Sequence, residues 1–227
     1  MKNCCDNIMK RLFCFGITAV LALSLFGCGR HRDDSRSVFI ARIASDQAVD
    51  GDIAFDPVLN SFTITNGPNT LFFGIDEVNR NLPEFRAFLD FPLDGSTHGD
   101  VVPVNAEILS ATLEVFVDEV SFAGTIPTLL DLVPFPITGL TPADFNSLPW
   151  QYPDGSDASI RFDFFSLDEG NFVLIDVTPL MRQTQRLGLP DFQVRFLLDF
   201  ISNTGLVGIQ DRPNVAITAP LLTVKFY

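Results

Sequence analysis

The feature that most constrains the fold is a two-residue period in the short apolar runs that follow Val38. These runs are separated by Pro, Gly, Asn and Asp, and within them apolar residues alternate with polar or charged ones. In the segment 112–118, Leu113, Val115 and Val117 alternate with Thr, Glu and Asp. Because successive side chains of a strand point to opposite faces, the pattern predicts antiparallel strands with one buried and one solvated face.

The same pattern recurs along the chain and predicts roughly ten strands. They span 38–44, 61–65, 71–75, 85–91, 112–118, 126–132, 160–164, 171–177, 192–198, 206–209 and 221–227. One helix of about three turns is predicted between the strands 171–177 and 192–198, with Thr178 as N-cap, Pro179 at the first position and Gly188 at its end. Many short strands with one helix favour an all-β fold, an antiparallel jelly-roll-like β-sandwich.

The strand predicted over 85–91 has one apolar face and one face that carries Arg86, Phe88 and Asp90. We expect the second face to be solvated. Arg86, Arg161 and Arg195 are interpreted as structural residues that pair with neighbouring acids across the polar face of a sheet.

The N-terminal region has the composition of a secretory signal. Three basic residues between Met1 and Arg11 precede an uncharged run over 12–26, which is too short for a helix to cross a hydrocarbon core of about 30 Å. The run ends in Leu-Ser-Leu-Phe-Gly before Cys28, which resembles the lipobox of bacterial lipoproteins. The resemblance implies cleavage before Cys28, acylation of that residue and, because Gly29 follows it, sorting to the outer membrane. A buried core helix and a membrane span remain alternatives, and translation could begin at Met1 or Met9.

These observations divide the chain into a signal peptide over 1–27, a polar tether over 28–37 and a β-sandwich domain over 38–227. Cleavage would leave 12 basic and 27 acidic side chains, a formal charge of about −15. So acidic a surface disfavours nucleic-acid binding and electrostatic docking to anionic lipid. No thiol would remain for a disulfide or a metal, and the expected contact with the membrane is the lipid anchor alone.

Four segments of the mature chain, taken in order, are Arg86–Phe91, Ala106–Val115, Asp176–Leu180 and Pro220–Val224. Together they resemble the DNRLRE-type β-sandwich domains of microbial cell-surface proteins. The resemblance implies that the second segment is a strand entering the sandwich, that the third leads into a short helix and that the last is the final strand. Some members of that family resemble carbohydrate-binding modules, so the resemblance also implies surface glycan binding as a candidate function.

The loop 149–155 holds the single Trp of the chain and one of its two Tyr residues. An exposed Trp150 or Tyr152 ring could cover the apolar face of a sugar, while Gln151 and Asp154 could bond its hydroxyls. The alternative is that Trp150 folds back over the end of the core.

Two acidic, Gly-containing loops, 94–100 and 154–157, could supply oxygen ligands to calcium, although neither has the spacing of an EF-hand and plain turns explain both. No cofactor motif is present. His98 is the single histidine beyond the tether, and no Gly-x-Ser-x-Gly elbow accompanies it, so a catalytic triad has little support. A carboxylate pair for glycoside hydrolysis stays open, because its spacing is spatial.

The sequence therefore predicts a lipid-anchored, noncatalytic cell-surface module whose partner is a polysaccharide. The alternative is a structural or assembly subunit that contacts other envelope proteins, and a polysaccharide-cleaving enzyme is a third possibility.

Overall fold

The computed structural model describes residues 36–67, 69–97, 99–199, 204–212 and 218–227. The predicted signal peptide, Cys28, most of the tether and His98 lie outside the described residues. Residues 38–227 form one compact unit. Across the part of the chain that the structure describes, no helix has the length and apolar character needed to span a bilayer.

Twelve strands and one α-helix make up the regular structure of the described residues, and every strand pairing is antiparallel. In chain order they are β1 (Phe39–Ala44), β2 (Gly51–Asp56), β3 (Ser61–Asn66), β4 (Thr70–Ile75), β5 (Glu84–Pro92), β6 (Ile108–Ser121), β7 (Thr125–Leu132), β8 (Ser159–Phe165), β9 (Phe172–Asp176), α1 (Thr178–Leu187), β10 (Asp191–Leu198), β11 (Gly205–Gln210) and β12 (Leu221–Phe226). The predicted all-β antiparallel fold is confirmed.

The strands form one continuous sheet that curls into a β-sandwich. One layer contains β1, β12, β6 and β9, and the other contains β11, β4, β5, β10, β7 and β8, with the β2–β3 pair attached to β5. The long strand β6 belongs to both layers, because its first half pairs with β12 and its second half pairs with β11.

Phenylalanine fills much of the interior between the two layers. Among the described residues six Phe rings are fully buried, and five of them, including Phe73, Phe164 and Phe196, belong to the core between the layers. The Phe73 ring centroid lies 5.6 Å from that of Phe164 and 5.4 Å from that of Phe196. Burying each such side chain stabilises the fold by about 1.5–3 kcal/mol, which accounts for the abundance of Phe in a domain that is expected to lack disulfides.

The prediction that the second face of β5 is solvated is wrong. Phe88 on that face is fully buried, and Arg86 and Asp90 are also buried. A second hydrophobic cluster covers them, formed by the segment after β7 and by β2. Its buried members are Val49, Ile53, Phe88, Val133, Phe135, Leu140 and Phe145. The pattern of β5 therefore belongs to a strand with a core on each side.

Two of the three arginines interpreted as structural lie in this second cluster and hold the short 3-10 helix Pro142–Asn146. The Arg195 guanidinium bonds the Asp131 carboxylate at 2.7 Å and the Phe145 carbonyl at 3.0 Å. Arg86 lies over the Phe145 ring at 3.9 Å and pairs with Glu84 at 2.8 Å. These pairs are structural as predicted, but they are buried.

The third arginine pairs on the surface instead. Arg161 contacts Asp199 at 2.8 Å with an exposed side chain.

The helix α1 ends as predicted, because Gly188 adopts a left-handed conformation with φ of 64°. Its start differs by one residue: the N-cap is Val177, and Thr178 is the first helical residue. The Thr178 hydroxyl accepts a hydrogen bond from the Ala111 N–H at 2.9 Å, so it joins the helix to β6.

Candidate functional site

The loop predicted to bind sugar forms a small hairpin. Gln151 and Asp157 pair across it, the Tyr152 N–H donates to the Ser156 carbonyl at 2.8 Å, and Gly155 turns the chain with φ of 84°. The structure thus places Trp150, Gln151, Tyr152 and Asp154 together, as the sequence analysis assumed.

The aromatic rings of this hairpin turn inward. Trp150 and Tyr152 are both half-buried and pack against the main core. The Trp150 ring lines a cavity of about 90 Å³ with residues that include Leu132 and Pro190. A cavity of this size holds a few water molecules, which is smaller than a sugar ring requires.

Main-chain and side-chain groups of the hairpin have structural partners. The main-chain carbonyl of Gln151 accepts hydrogen bonds from the side chains of Gln183 at 2.6 Å and Arg186 at 3.2 Å, which ties the hairpin to α1, and Gln151 itself is exposed. The Asp154 carboxylate accepts from the Ser156 N–H and hydroxyl, at 3.0 and 2.6 Å, and these bonds lower the pKa of Asp154.

The two loops considered for calcium also use their acids locally. Asp94 accepts from the Ser96 N–H at 2.9 Å, and Asp100 accepts from the Arg42 N–H at 2.9 Å. Over the described ranges, no three His, Cys, Asp or Glu side chains converge into a metal-binding group.

A larger groove lies where the second layer splits. β4 pairs with β5 only at its last two residues, so the first part of β4 diverges from β2 and β5. We call the resulting opening, about 460 Å³ in volume, the split-sheet groove. It is lined by Asp52, Thr65, Asn69, Thr70, Phe72, Phe85 and Arg212.

Two aromatic rings form one wall of the split-sheet groove. Phe72 and Phe85 are half-buried, with ring centroids 6.1 Å apart and planes at 66°. Gly208 on β11 makes room for the first ring, because a Cβ there would lie 3.0 Å from Cε1 of Phe72. The rings therefore offer two apolar surfaces at an angle.

Asp52 supplies a carboxylate at the base of the same groove. One oxygen, Oδ2, accepts from the Phe72 N–H at 2.9 Å and so replaces the strand partner that β4 lacks there. The other oxygen, Oδ1, is buried without a hydrogen-bond partner. Burial raises the pKa of Asp52 to about 6. A buried polar atom without a partner is costly, and the Thr65 side chain, which also lines the groove, offsets part of this cost by a hydrogen bond that lowers the pKa of Asp52.

A polar network forms the opposite rim. The Arg212 guanidinium donates to the Thr70 hydroxyl at 3.0 Å, and that hydroxyl donates to Asp118 at 2.8 Å. Arg212 and Asn69 are exposed and can reach a ligand.

Sequence reasoning missed this groove. The sequence pattern predicts that Phe72 and Phe85 lie in strands, but it does not indicate that the two rings meet. Asp52 lies in β2, which the pattern does not predict as a strand. The one available signal was the Asp-Gly-Asp sequence at 50–52, which places acids beside a strand-breaking glycine.

A second opening lies on the outer face of the first layer. It has a volume of about 500 Å³, and exposed Phe172 and Leu174 of β9 lie beside Leu221 of β12 along it. Glu114 and Arg42 add one charge of each sign to its lining.

Comparison with known proteins gives no assignment. No protein-family model matches this chain, and no curated protein matches it significantly in sequence.

Proposed function

We propose that this protein is a noncatalytic polysaccharide-binding module of the cell surface, held by a lipidated Cys28, and that it binds its ligand in the split-sheet groove. The observation that carries the proposal is the juxtaposition of the Phe72 and Phe85 rings with the unpartnered Oδ1 of Asp52.

The chemistry of the groove suits a sugar. The C–H face of a pyranose can pack on an aromatic ring, while a hydroxyl donates to the Asp52 oxygen that has no protein partner. Arg212 and Asn69 lie at the rim, where they can bond further hydroxyls. The volume of about 460 Å³ falls within the range of roughly 300–1,000 Å³ that small-molecule sites occupy.

The proposed site differs from the Trp150 hairpin that the sequence analysis favoured. In the groove the rings flank an opening large enough for a sugar, whereas the hairpin rings pack on the core. The same binding titration can test both the groove and the Trp150 hairpin as the sugar site.

The direct test is calorimetric titration of the purified full-length protein in detergent against a panel of bacterial and plant polysaccharides. Phe72→Ala should weaken binding by about 10-fold, equivalent to ~1.4 kcal/mol, because it removes one stacking surface. Phe172→Ala, which removes a half-exposed ring from β9 on the other layer, is the matched control and should leave the affinity unchanged.

Trp150→Ala distinguishes the two sites in the same experiment. If Trp150→Ala abolished binding and Phe72→Ala had no effect, the groove would be the wrong site. No binding by the wild-type protein across the panel would remove the proposal altogether.

The anchor is tested separately. Labelling cells with a radioactive fatty acid should mark the wild-type protein and leave Cys28→Ser unlabelled. A wild-type protein that keeps its first 27 residues and carries no lipid would contradict this part.

The runner-up function is an assembly subunit that contacts envelope proteins. The exposed Phe172 and Leu174 side chains beside the opening on the outer face are the observation that favours it. Leu174→Glu should then abolish a specific cross-link that Phe72→Ala leaves intact.

A further inference from the structure

The end of the domain at which β1 begins carries exposed apolar side chains that belong neither to the split-sheet groove nor to the Trp150 hairpin. Five aliphatic or aromatic residues there are between 51% and 63% exposed. We call them the tether-end patch, which consists of Val38, Phe39, Ile40, Val101 and Val104. Exposed apolar residues that follow one another in this way are typical of an interaction surface.

Three members of the patch are consecutive at the start of β1. From Ala41 to Ala44 the strand alternates between buried and more exposed residues, as expected of a strand with one covered face. Phe39 and Ile40 point to opposite faces, yet both are exposed, so neither face is covered at the start of the strand. The Phe39 ring stacks on Phe226 of β12 with centroids 5.9 Å apart, which gives the exposed ring a fixed place on the folded domain.

The other two members lie in the segment between β5 and β6, which is fastened to the β1–β12 pair. The Asp100 N–H donates to the Arg42 carbonyl of β1 at 3.1 Å. The Glu107 carbonyl accepts a bond of 3.1 Å from the N–H of the residue that follows β12. Val101 and Val104 lie between these two bonds along the chain, so both valines belong to the same end of the domain as the start of β1.

The length of chain before the patch limits what can cover it. Cys28, the proposed lipid-bearing residue, lies ten positions before Val38. A chain spans at most about 3.6 Å per residue, so the start of β1 stays within about 36 Å of the acylated residue even when the tether is fully extended. Contact between the patch and that bilayer is intramolecular in effect, so a weak apolar contact is enough to populate it.

The charges at this end favour a contact in which apolar burial dominates. Lys225, directly opposite Ile40 on β12, and Arg42 on β1 are exposed cations, whose apolar stems can lie along acyl chains while their charges reach phosphates. The exposed acids Asp100 and Glu107 lie at the same end and offset these charges. A membrane contact here therefore does not require the electrostatic attraction that an acidic domain lacks.

We propose that the tether-end patch inserts into the interface of the phospholipid bilayer that holds the acylated Cys28, and so fixes the orientation of the domain on the membrane. This inference rests on the lipidated Cys28 of the proposed function. It goes beyond the anchor, which the sequence predicts as the single membrane contact, because the folded domain itself touches lipid. None of the residues that line the split-sheet groove belongs to the patch, so the contact leaves those residues available to a ligand.

The test measures the depth of a fluorescent label on the processed lipoprotein in phosphatidylcholine vesicles. Cleavage before Cys28 removes the other three cysteines, so Lys225→Cys supplies a single thiol beside the patch. Quenching by nitroxide-labelled lipids should place this label within about 5–10 Å of the boundary between headgroups and acyl chains. The same label on Val78→Cys, in the β4–β5 turn at the opposite end of the strands, should be quenched by iodide and not by the lipid nitroxides.

Substitutions in the patch test whether its side chains hold the domain at the bilayer. Phe39→Ser combined with Ile40→Ser should abolish quenching of the Lys225→Cys label by lipid nitroxides, while the unfolding temperature shows that the variant remains folded. Val58→Ser combined with Leu59→Ser is the matched control, because these two side chains are equally apolar and exposed in the β2–β3 turn. The control should keep the full quenching.

Mass spectrometry of the same preparation separates the two ways in which the proposal could fail. A lipidated Cys28 together with a Lys225→Cys label that iodide quenches freely would overturn the membrane contact and leave the anchor intact. A Cys28 without lipid would overturn the anchor and this inference together. A label that neither quencher reaches would show that a second protein molecule covers the patch, which would also overturn the proposal.

Discussion

At the scale of single residues, Asp52 is the clearest case of a side chain that we expect to lower stability while serving the proposed ligand binding. Its carboxylate is buried, its pKa is raised to about 6, and one of its oxygens has no partner. In the unfolded chain the group titrates near 3.8. The folded state therefore loses stability as the pH rises from about 4 through about 6, because the unfolded chain releases the proton first.

We predict that Asp52→Asn stabilises the protein at pH 8 and weakens sugar binding. The amide oxygen can still accept from the Phe72 N–H, and the cost of ionising a buried acid disappears. The expected gain at pH 8 is about 1–3 kcal/mol in urea unfolding, and it should vanish near pH 4.

Asp163→Asn is the matched control for this prediction, because Asp163 is exposed on β8. It should change neither stability nor affinity. A loss of stability in Asp52→Asn at pH 8 would show that the carboxylate has a charged partner, and the interpretation of the groove would have to change.

Residue types alone could not reveal this site. Phe72 and Phe85 looked like core residues in sequence, and the Trp150 hairpin looked like the better aromatic platform. The contact between Phe72 and Phe85 depends on where β4 leaves β5, and Asp52 reaches the Phe72 N–H across that gap. These are long-range relations that a periodicity cannot encode.

At the scale of elements, alternation located strands well where one face meets water. β6 and β8 keep their charged residues outward, as their patterns predict. β2 was missed because Gly51, Asp52 and Asp56 resemble turn residues, although β3 and β5 flank the strand on both sides. The outer face of β5 was misassigned because the cluster that covers it comes from distant segments.

The C-terminal end of α1 gives a prediction at this scale. Gly188→Ala should destabilise the protein by about 1 kcal/mol, because a residue with a Cβ is sterically strained in the left-handed conformation that Gly188 adopts. The unfolding temperature should drop by about 2–4 °C.

Gly124→Ala is the control for α1. No atom lies within 4 Å of a Cβ at either glycine, but only Gly188 has a positive φ. Equal effects of the two substitutions would mean that the left-handed turn does not limit the stability of the helix end.

At the scale of the whole molecule, buried and exposed acids act on stability in opposite pH ranges. Burial raises the pKa of Asp90 to about 7 and that of Asp52 to about 6, so their contributions are lost as the pH rises towards 8. Hydrogen bonds lower the pKa of exposed Asp56, Asp94 and Asp154, whose contributions are lost as the pH falls below about 4.

We therefore predict that the protein is most stable near pH 4–5 and loses stability steadily up to pH 8. Urea unfolding at intervals of one pH unit measures this profile. Repeating the series in 0.5 M sodium chloride separates the buried groups from general repulsion in a chain of net charge −13, because salt screens the surface charges far more than the buried ones. Constant stability from pH 5 to 8 would contradict the raised pKa values.

The strand β6 runs for 14 residues and pairs with both layers of the sandwich. The pairings of β12 and β9 in one layer and of β11 in the other all use this strand, so we expect the two layers to unfold together. The central amides of β6 should exchange with deuterium only when the entire domain opens.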